Sequence, residues 1–189
     1  LASIPSERAY LFPDQGKLSL WSARLDADFG KSSGLRVGLV WQGSTTHAND
    51  AQRSLSLDVL KKALPSKVQY VALQKDLSDA DIAALSGWAD IVPLGRDFAD
   101  FGDTAAVCAA LDVVVSVDTS VAHLAGALGK PVWLMLPHEP DWRWLLNRND
   151  SPWYPSARLL RQKTPGDWSN VLTDLAQALI QLRHDKGFS

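Results

Sequence analysis

The sequence predicts an α/β protein built on a doubly wound, parallel, Rossmann-like sheet. Two observations carry that expectation. Runs such as Val113-Val114-Val115-Ser116-Val117 and Val132-Trp133-Leu134-Met135-Leu136 are continuously apolar rather than alternating, which marks strands buried on both faces. They take turns along the chain with segments of helical spacing, the order that gives parallel strands joined by crossover helices. The 189 residues suffice for one such domain with a full core.

The elements follow in order. Residues 1–17, with Pro5, Pro13 and Gly16, read as an extended linker. Leu18, Trp21, Leu25 and Phe29 recur at helical spacing, so a helix is expected over 18–29. Residues 1–35 are therefore taken as linker and first helix, and 36–189 as the Rossmann-like domain. Arg36 to Trp41 is the first strand, followed by a polar loop and a helix over 56–63. Lys67 to Leu73 is the second strand. Ser78 with Asp81 forms a capping box that opens a helix over 79–86. Asp90 to Leu94 is a short strand, and a helix over 103–111 leads to the strand 113–117. A helix over 120–128 and the strand 132–136 come next. Arg158 to Arg161 reads as an edge strand, and the closing helix over 167–183 carries Trp168, Val171, Leu172, Leu175, Leu179 and Leu182 on one stripe.

Composition excludes several functions. A net charge of −2 gives no bulk attraction to nucleic acid or anionic lipid, so any anion must be held by local geometry. No apolar stretch approaches the ~18–20 residues of a membrane span, and the first residues lack the pattern of a signal peptide. The single cysteine, Cys108, forms no internal disulfide and reads as packed core; the cytoplasm is the expected compartment. The first residue is not methionine, which points to part of a longer polypeptide.

Val117 to Pro131 is the most informative stretch. Asp118 or Thr119 is placed to cap the next helix. Val121, Leu124, Ala125 and Leu128 form its packing face, Gly126 allows close approach to the sheet, Gly129 suits the position after the helix, and Pro131 ends it. The polar residues left over, Thr119, Ser120 and His123, cluster at the helix start. Unpaired N–H groups and the positive end of the helix dipole make that end an anion site. Read plainly, Asp118 is only a cap and His123 only a surface residue.

Residues Ser116 to Val132 resemble the signature of glycosyltransferase family 9, the ADP-heptose:lipopolysaccharide heptosyltransferases. They resemble still more the related domain found downstream of tetratricopeptide repeats in bacterial proteins. Val37 to Gly43, Asn49-Asp50 with Arg53-Ser54, and Pro137 to Trp144 add to the resemblance, which spans residues 36–162. It implies a GT-B architecture of two Rossmann-like halves, with this chain as the carboxyl-terminal, nucleotide-binding half. Asp118, Thr119, Ser120 and His123 would then sit against the diphosphate of an ADP- or UDP-sugar. The catalytic base would belong to the missing amino-terminal half. Heptosyltransferases usually place glycine after Asp-Thr; here it is Ser120, which leaves the sugar nucleotide open.

The loop 42–54 follows the first strand on the same sheet edge. Gly43 permits a tight turn there, and Ser44, His47 and Arg53 are candidates to reach donor phosphate, though an ordinary solvated loop explains them equally. Gln74 and Lys75 are weaker candidates for ribose or base. The segment 137–154 is long for a connector. Its Trp142, Arg143 and Trp144 would cover the nucleotide, face the acceptor, or pin the loop as an aromatic cluster. Glu139 and Asp141 are the only acidic alternatives for a base on this chain. Asp26-Ala27-Asp28 and Asp79-Ala80-Asp81 fall in helices, where i and i+2 diverge, so neither pair is expected to hold a metal. No metal and no cofactor is expected.

The leading reading is the donor-binding half of a glycosyltransferase, inactive alone, whose partners are a nucleotide sugar, an acceptor of unidentified kind and the missing half. A non-catalytic nucleotide- or phosphate-binding module, and an isomerase like the sugar-nucleotide 2-epimerases, are the alternatives.

Overall fold

The computed structural model describes residues 4, 9–30, 34–44 and 50–188. Among them the chain runs α1 (Gln15–Phe29), β1 (Arg36–Val40), α2 (Asp50–Arg53), α3 (Leu57–Ala63), β2 (Gln69–Ala72), α4 (Asp79–Ser86), β3 (Ile91–Pro93), α5 (Phe101–Ala110), β4 (Val113–Val117), α6 (Ser120–Ala127), β5 (Val132–Leu136), β6 (Ala157–Arg161) and α7 (Ser169–Asp185). The strands form one six-stranded sheet in the order β3-β2-β1-β4-β5-β6, with every neighbouring pair parallel. This is the doubly wound Rossmann-like arrangement, and its order reverses between β1 and β4. Ligands of such sheets bind beyond the strands' carboxyl ends at that crevice.

Alternate strand residues feed two cores. On one face Val114, Leu134 and Leu136 pack with Trp21 and Leu25 of α1, with α5, and with Ala122 and Ala125 of α6. On the other, Val113, Val115, Val117 and Met135 pack with α3 and with Val171, Leu172, Leu175 and Leu179 of α7. Val171, Leu172, Leu175 and Leu179 of the α7 stripe are thus buried within this domain, and Trp168 and Leu182 partly so.

Local chemistry accounts for the element boundaries. The Ser78–Asp81 capping box is formed, and Asp81 also accepts from Trp41 Nε1 at 2.9 Å. Helix α1 begins at Gln15, ahead of its apolar stripe, because Asp14 accepts from the Lys17 N–H. The preceding residues do not run free: Tyr10 and Leu11 both donate to the Ala127 carbonyl at 3.0 and 3.1 Å. Cys108 is fully buried, and burial pushes its thiol pKa up to about 12.

Helix α6 ends in a Schellman motif. Gly129 has φ 68°, its N–H reaches Gly126 O, and the Lys130 N–H reaches Ala125 O. The packing of α6 departs from expectation in two respects. Ala122 and Ala125 are its fully buried sheet-facing residues, while Val121 and Leu128 are only partly buried. Gly126 serves a different neighbour from the sheet: a Cβ there would stand 2.5 Å from the ring of Tyr154. No described helix is long and apolar enough to cross a membrane.

Candidate functional site

The site is built where β1 and β4 diverge. Strand β4 ends at Val117, and Thr119 is the N-cap residue of α6, with extended φ and ψ but no side-chain capping bond. Its hydroxyl instead lies 3.0 Å from Ser116 Oγ. Asp118 is not the cap either; its carboxylate lies 3.6 Å from His123 Nε2. The capping role expected of Asp118 or Thr119 side chains is therefore unfilled. The first N–H groups of α6 are left without a side-chain acceptor among the described residues, at the positive end of the helix dipole.

Two cavities flank that helix end. One, of about 360 Å³, is lined by Arg53, Asp118, Thr119, Ser120, His123 and Glu139, with Asp141 and Arg143 at its rim. The other, of about 480 Å³, is lined by Gly43, Ser44, Lys75, Phe98 and Phe101 together with Arg53, Thr119 and Ser120. Asp118, Thr119, Ser120, His123, Gly43, Ser44, Arg53 and Lys75 each line one or both, and Arg53, Thr119 and Ser120 form the wall the cavities share. His47 lies outside the described residues. A larger cavity of about 660 Å³ lies among Asp50, Asp58 and Asp81, acidic walls that repel an anion.

Arg53 is held by two neighbours. Its Nε donates to Asp50 Oδ1 at 3.2 Å and its Nη1 to the Asp118 carbonyl at 2.9 Å. Asp50 is buried and also accepts from Ser54 Oγ, which accepts from the Gly43 N–H. Gly43 is needed for space: a Cβ there would collide with both Arg53 Nη2 and Asp50 Oδ1. The loop after β1 thus carries a fixed guanidinium to the edge of the cavity, and Asp50, unremarked in the sequence as a single residue, is what fixes it.

Lys75 sits on the far side of the neighbouring cavity, exposed, with Nζ 3.4 Å from the Phe98 carbonyl. The buried Gln74 accepts from the Gln42 N–H at 3.2 Å. The 137–154 segment is pinned by aromatics: Trp144 is fully buried, Trp142 meets Trp153 edge-on, and Trp153 Nε1 donates to the Arg143 carbonyl at 2.8 Å. Burial pulls the Asp141 carboxyl up, but hydrogen bonds from the Arg143 main chain and guanidinium outweigh it and hold the group below the usual carboxylate range. Asp141 is therefore a poor proton acceptor. Among the described residues no three His, Cys, Asp or Glu side chains group as metal ligands. Sequence reasoning missed Tyr154, whose hydroxyl lies 3.0 Å from His123 Nδ1. The one available signal was Gly126, one turn beyond His123, which leaves room for an aromatic ring.

No protein-family model matches the chain. The curated Protein FlbA of Caulobacter vibrioides is 31% identical over 182 residues, covering 94% of this chain and 30% of that protein. The structure of Escherichia coli ADP-heptose lipopolysaccharide heptosyltransferase II superposes on 92% of this chain with a TM-score of 0.60 at 18% identity. A family 9 glycosyltransferase from Veillonella parvula superposes on 93% with a TM-score of 0.59 at 10% identity. The chain spans 54% and 52% of those two structures. Its fold is accordingly that of a glycosyltransferase family 9-like Rossmann unit.

Proposed function

We propose that this chain is the donor-binding half of a GT-B glycosyltransferase, the carboxyl-terminal one. It would hold the diphosphate of an ADP- or UDP-sugar at the start of α6, and its second Rossmann-like half would supply the acceptor site and the general base. The observation that carries this reading is the uncapped N-terminus of α6, open to a cavity between Arg53 and His123 at the crevice where the strand order reverses. Main-chain N–H groups there are preorganised donors for phosphate oxygens. An arginine fixed beside them would offset charge that develops on a departing diphosphate. The adjoining cavity, with Gln74 and Lys75 on its walls, has room for the nucleoside. The heptosyltransferase-like fold and the resemblance of the 116–132 segment point the same way.

Titration calorimetry with ADP, UDP and inorganic pyrophosphate tests the reading, together with amide NMR. Binding that moves the Ser120 and Val121 amide signals is the expected outcome. Binding that leaves them still, with the largest shifts on α4, would overturn it. Turnover of a sugar nucleotide by the longer protein separates a transferase from a purely binding module.

A further inference from the structure

The side chains around His123 form an ordered row. The imidazole stacks on the fully buried Trp144, with ring centroids 5.1 Å apart and 20° between planes. Its Nδ1 lies 3.0 Å from the Tyr154 hydroxyl, and its Nε2 faces the Asp118 carboxylate at 3.6 Å. Tyr154 reaches this position because residue 126 is glycine and lets the phenol ring lie flush on α6. The Tyr10 phenol lies near that of Tyr154 and helps push its pKa up. Tyr10 is itself anchored through its N–H to the Ala127 carbonyl at the other end of α6.

The protons in this row follow from donor and acceptor capacity. An ionised carboxylate only accepts, so the Asp118 oxygen 3.6 Å from Nε2 favours a proton on that nitrogen. Its Nδ1 is then a lone pair and takes the Tyr154 O–H. Burial, then the Tyr10 hydroxyl, push the Tyr154 phenol up in pKa, so it stays a protonated donor. One face of the imidazole is thereby committed to Trp144 and its Nδ1 edge to Tyr154, while Nε2 faces Asp118, which lines the same cavity as Thr119 and Ser120.

We propose that Tyr154 is a positioning residue: its O–H locks His123 as the Nε2–H tautomer and so presents a fixed N–H donor to a nucleoside diphosphate in the cavity. The ligand in this proposal rests on the anion-binding reading above; the tautomer does not. Locking matters because a ring that alternates between tautomers presents a lone pair, not a donor, to a phosphate oxygen for part of the time.

Long-range 1H–15N correlation spectra of the imidazole report which ring nitrogen carries the proton and whether the other accepts a hydrogen bond. The wild-type chain should show the Nε2–H form, with the Nδ1 signal displaced by an accepted bond, and Tyr154→Phe should abolish that displacement. Tyr154→Phe should also weaken ADP binding about 3- to 10-fold, the worth of one hydrogen bond, and should add nothing in a His123→Ala background. An Nδ1–H tautomer in the wild type, an unchanged Nδ1 signal in Tyr154→Phe, or an equal loss of affinity in the His123→Ala background would overturn the positioning role. Failure of the wild type to bind ADP or pyrophosphate would overturn the ligand and the anion reading with it, whereas the Nδ1 signal decides the role of Tyr154 by itself.

Discussion

Arg53 Nη1 donates to the main-chain oxygen of Asp118 across 2.9 Å, tying the loop after β1 to the turn that opens α6. One side chain thus sets the width of the crevice in which the candidate site lies. Arg53→Ala removes that tie and leaves the buried Asp50 carboxylate without its cation. The expected cost is about 2–3 kcal/mol of stability, because a desolvated charge is left unpaired. ADP affinity should fall at least tenfold or so, the effect of losing one fixed charge-assisted donor. Arg53→Lys keeps the charge but not the fork that spans Asp50 and Asp118, and should recover less than half of either loss. Urea denaturation and calorimetry on the three proteins check both numbers.

Asp118 is expected to behave differently. Since Thr119 is the N-cap residue and the Asp118 carboxylate faces His123, Asp118→Ala should cost under about 1 kcal/mol, short of the upper range for a lost cap. A loss near 2 kcal/mol by thermal or chemical denaturation would show that the carboxylate caps the helix after all.

Nucleotide binding should be insensitive to chelator. Three of the four carboxylates that mimic an Asp-x-Asp metal motif are committed elsewhere. Asp26 pairs with Arg36 and Asp28 with Arg24, while Asp81 accepts from Trp41 and Ser78. Charge on the diphosphate is then met by a helix terminus and Arg53. ADP affinity should be the same in EDTA and in magnesium. A large loss in EDTA that magnesium or manganese restores would sink that mechanism.

Acid should unfold the chain partly through Asp103. A hydrogen bond from Trp21 Nε1, then the Lys17 ammonium, hold its carboxyl down to about 2. The folded value lies below the unfolded one, so this group's stabilisation is complete above the unfolded pKa near ~4 and drains away as pH falls toward 2. Asp103→Asn should flatten the stability profile between those limits, and Trp21→Phe should shift the fall to higher pH. An unchanged profile in Asp103→Asn would assign the acid sensitivity to other carboxylates.

The parts of this molecule that were legible in its sequence are those fixed by neighbours close in the chain. Strands β4 and β5 and helix α4 fall on the expected residues because apolar runs and the Ser78–Asp81 box are local signals. Helix α2, four residues long, is too short to show any periodicity, and α1 starts early on a cap that precedes its stripe. The same division holds for the candidate site. A strand followed by a polar helix start is a local pattern, so Thr119, Ser120 and His123 were readable as candidates. What orients His123 was not, because Tyr154 comes to it from a remote segment whose register against α6 is set only by packing. Gly126 was read correctly as a place of close approach, but its partner was a loop tyrosine rather than the sheet.

The isolated chain should bind nucleotide weakly and transfer no sugar. Transfer requires a group that takes the proton of the acceptor hydroxyl, within reach of the bond that breaks. The acidic residues on the cavity are Asp118, Glu139 and Asp141. Asp141 is held ionised and occupied by Arg143, which lowers its appetite for a proton, and Asp118 is turned toward His123. His123 is itself engaged at Nδ1 by Tyr154 and presents a donor rather than a base in the arrangement proposed here. Glu139 is exposed on the rim, open to water, where nothing excludes solvent from a reacting sugar. A facing lobe would both bring a base and close the cavity, and alignment of reactants in a closed cleft supplies a large share of barrier reduction in such reactions. Side-by-side assays of residues 1–189 and the longer protein, with one donor and one acceptor, put this to the test. Turnover by the longer protein alone is the expected outcome. Robust turnover by residues 1–189 would end the half-enzyme proposal and make Glu139 the base to mutate first.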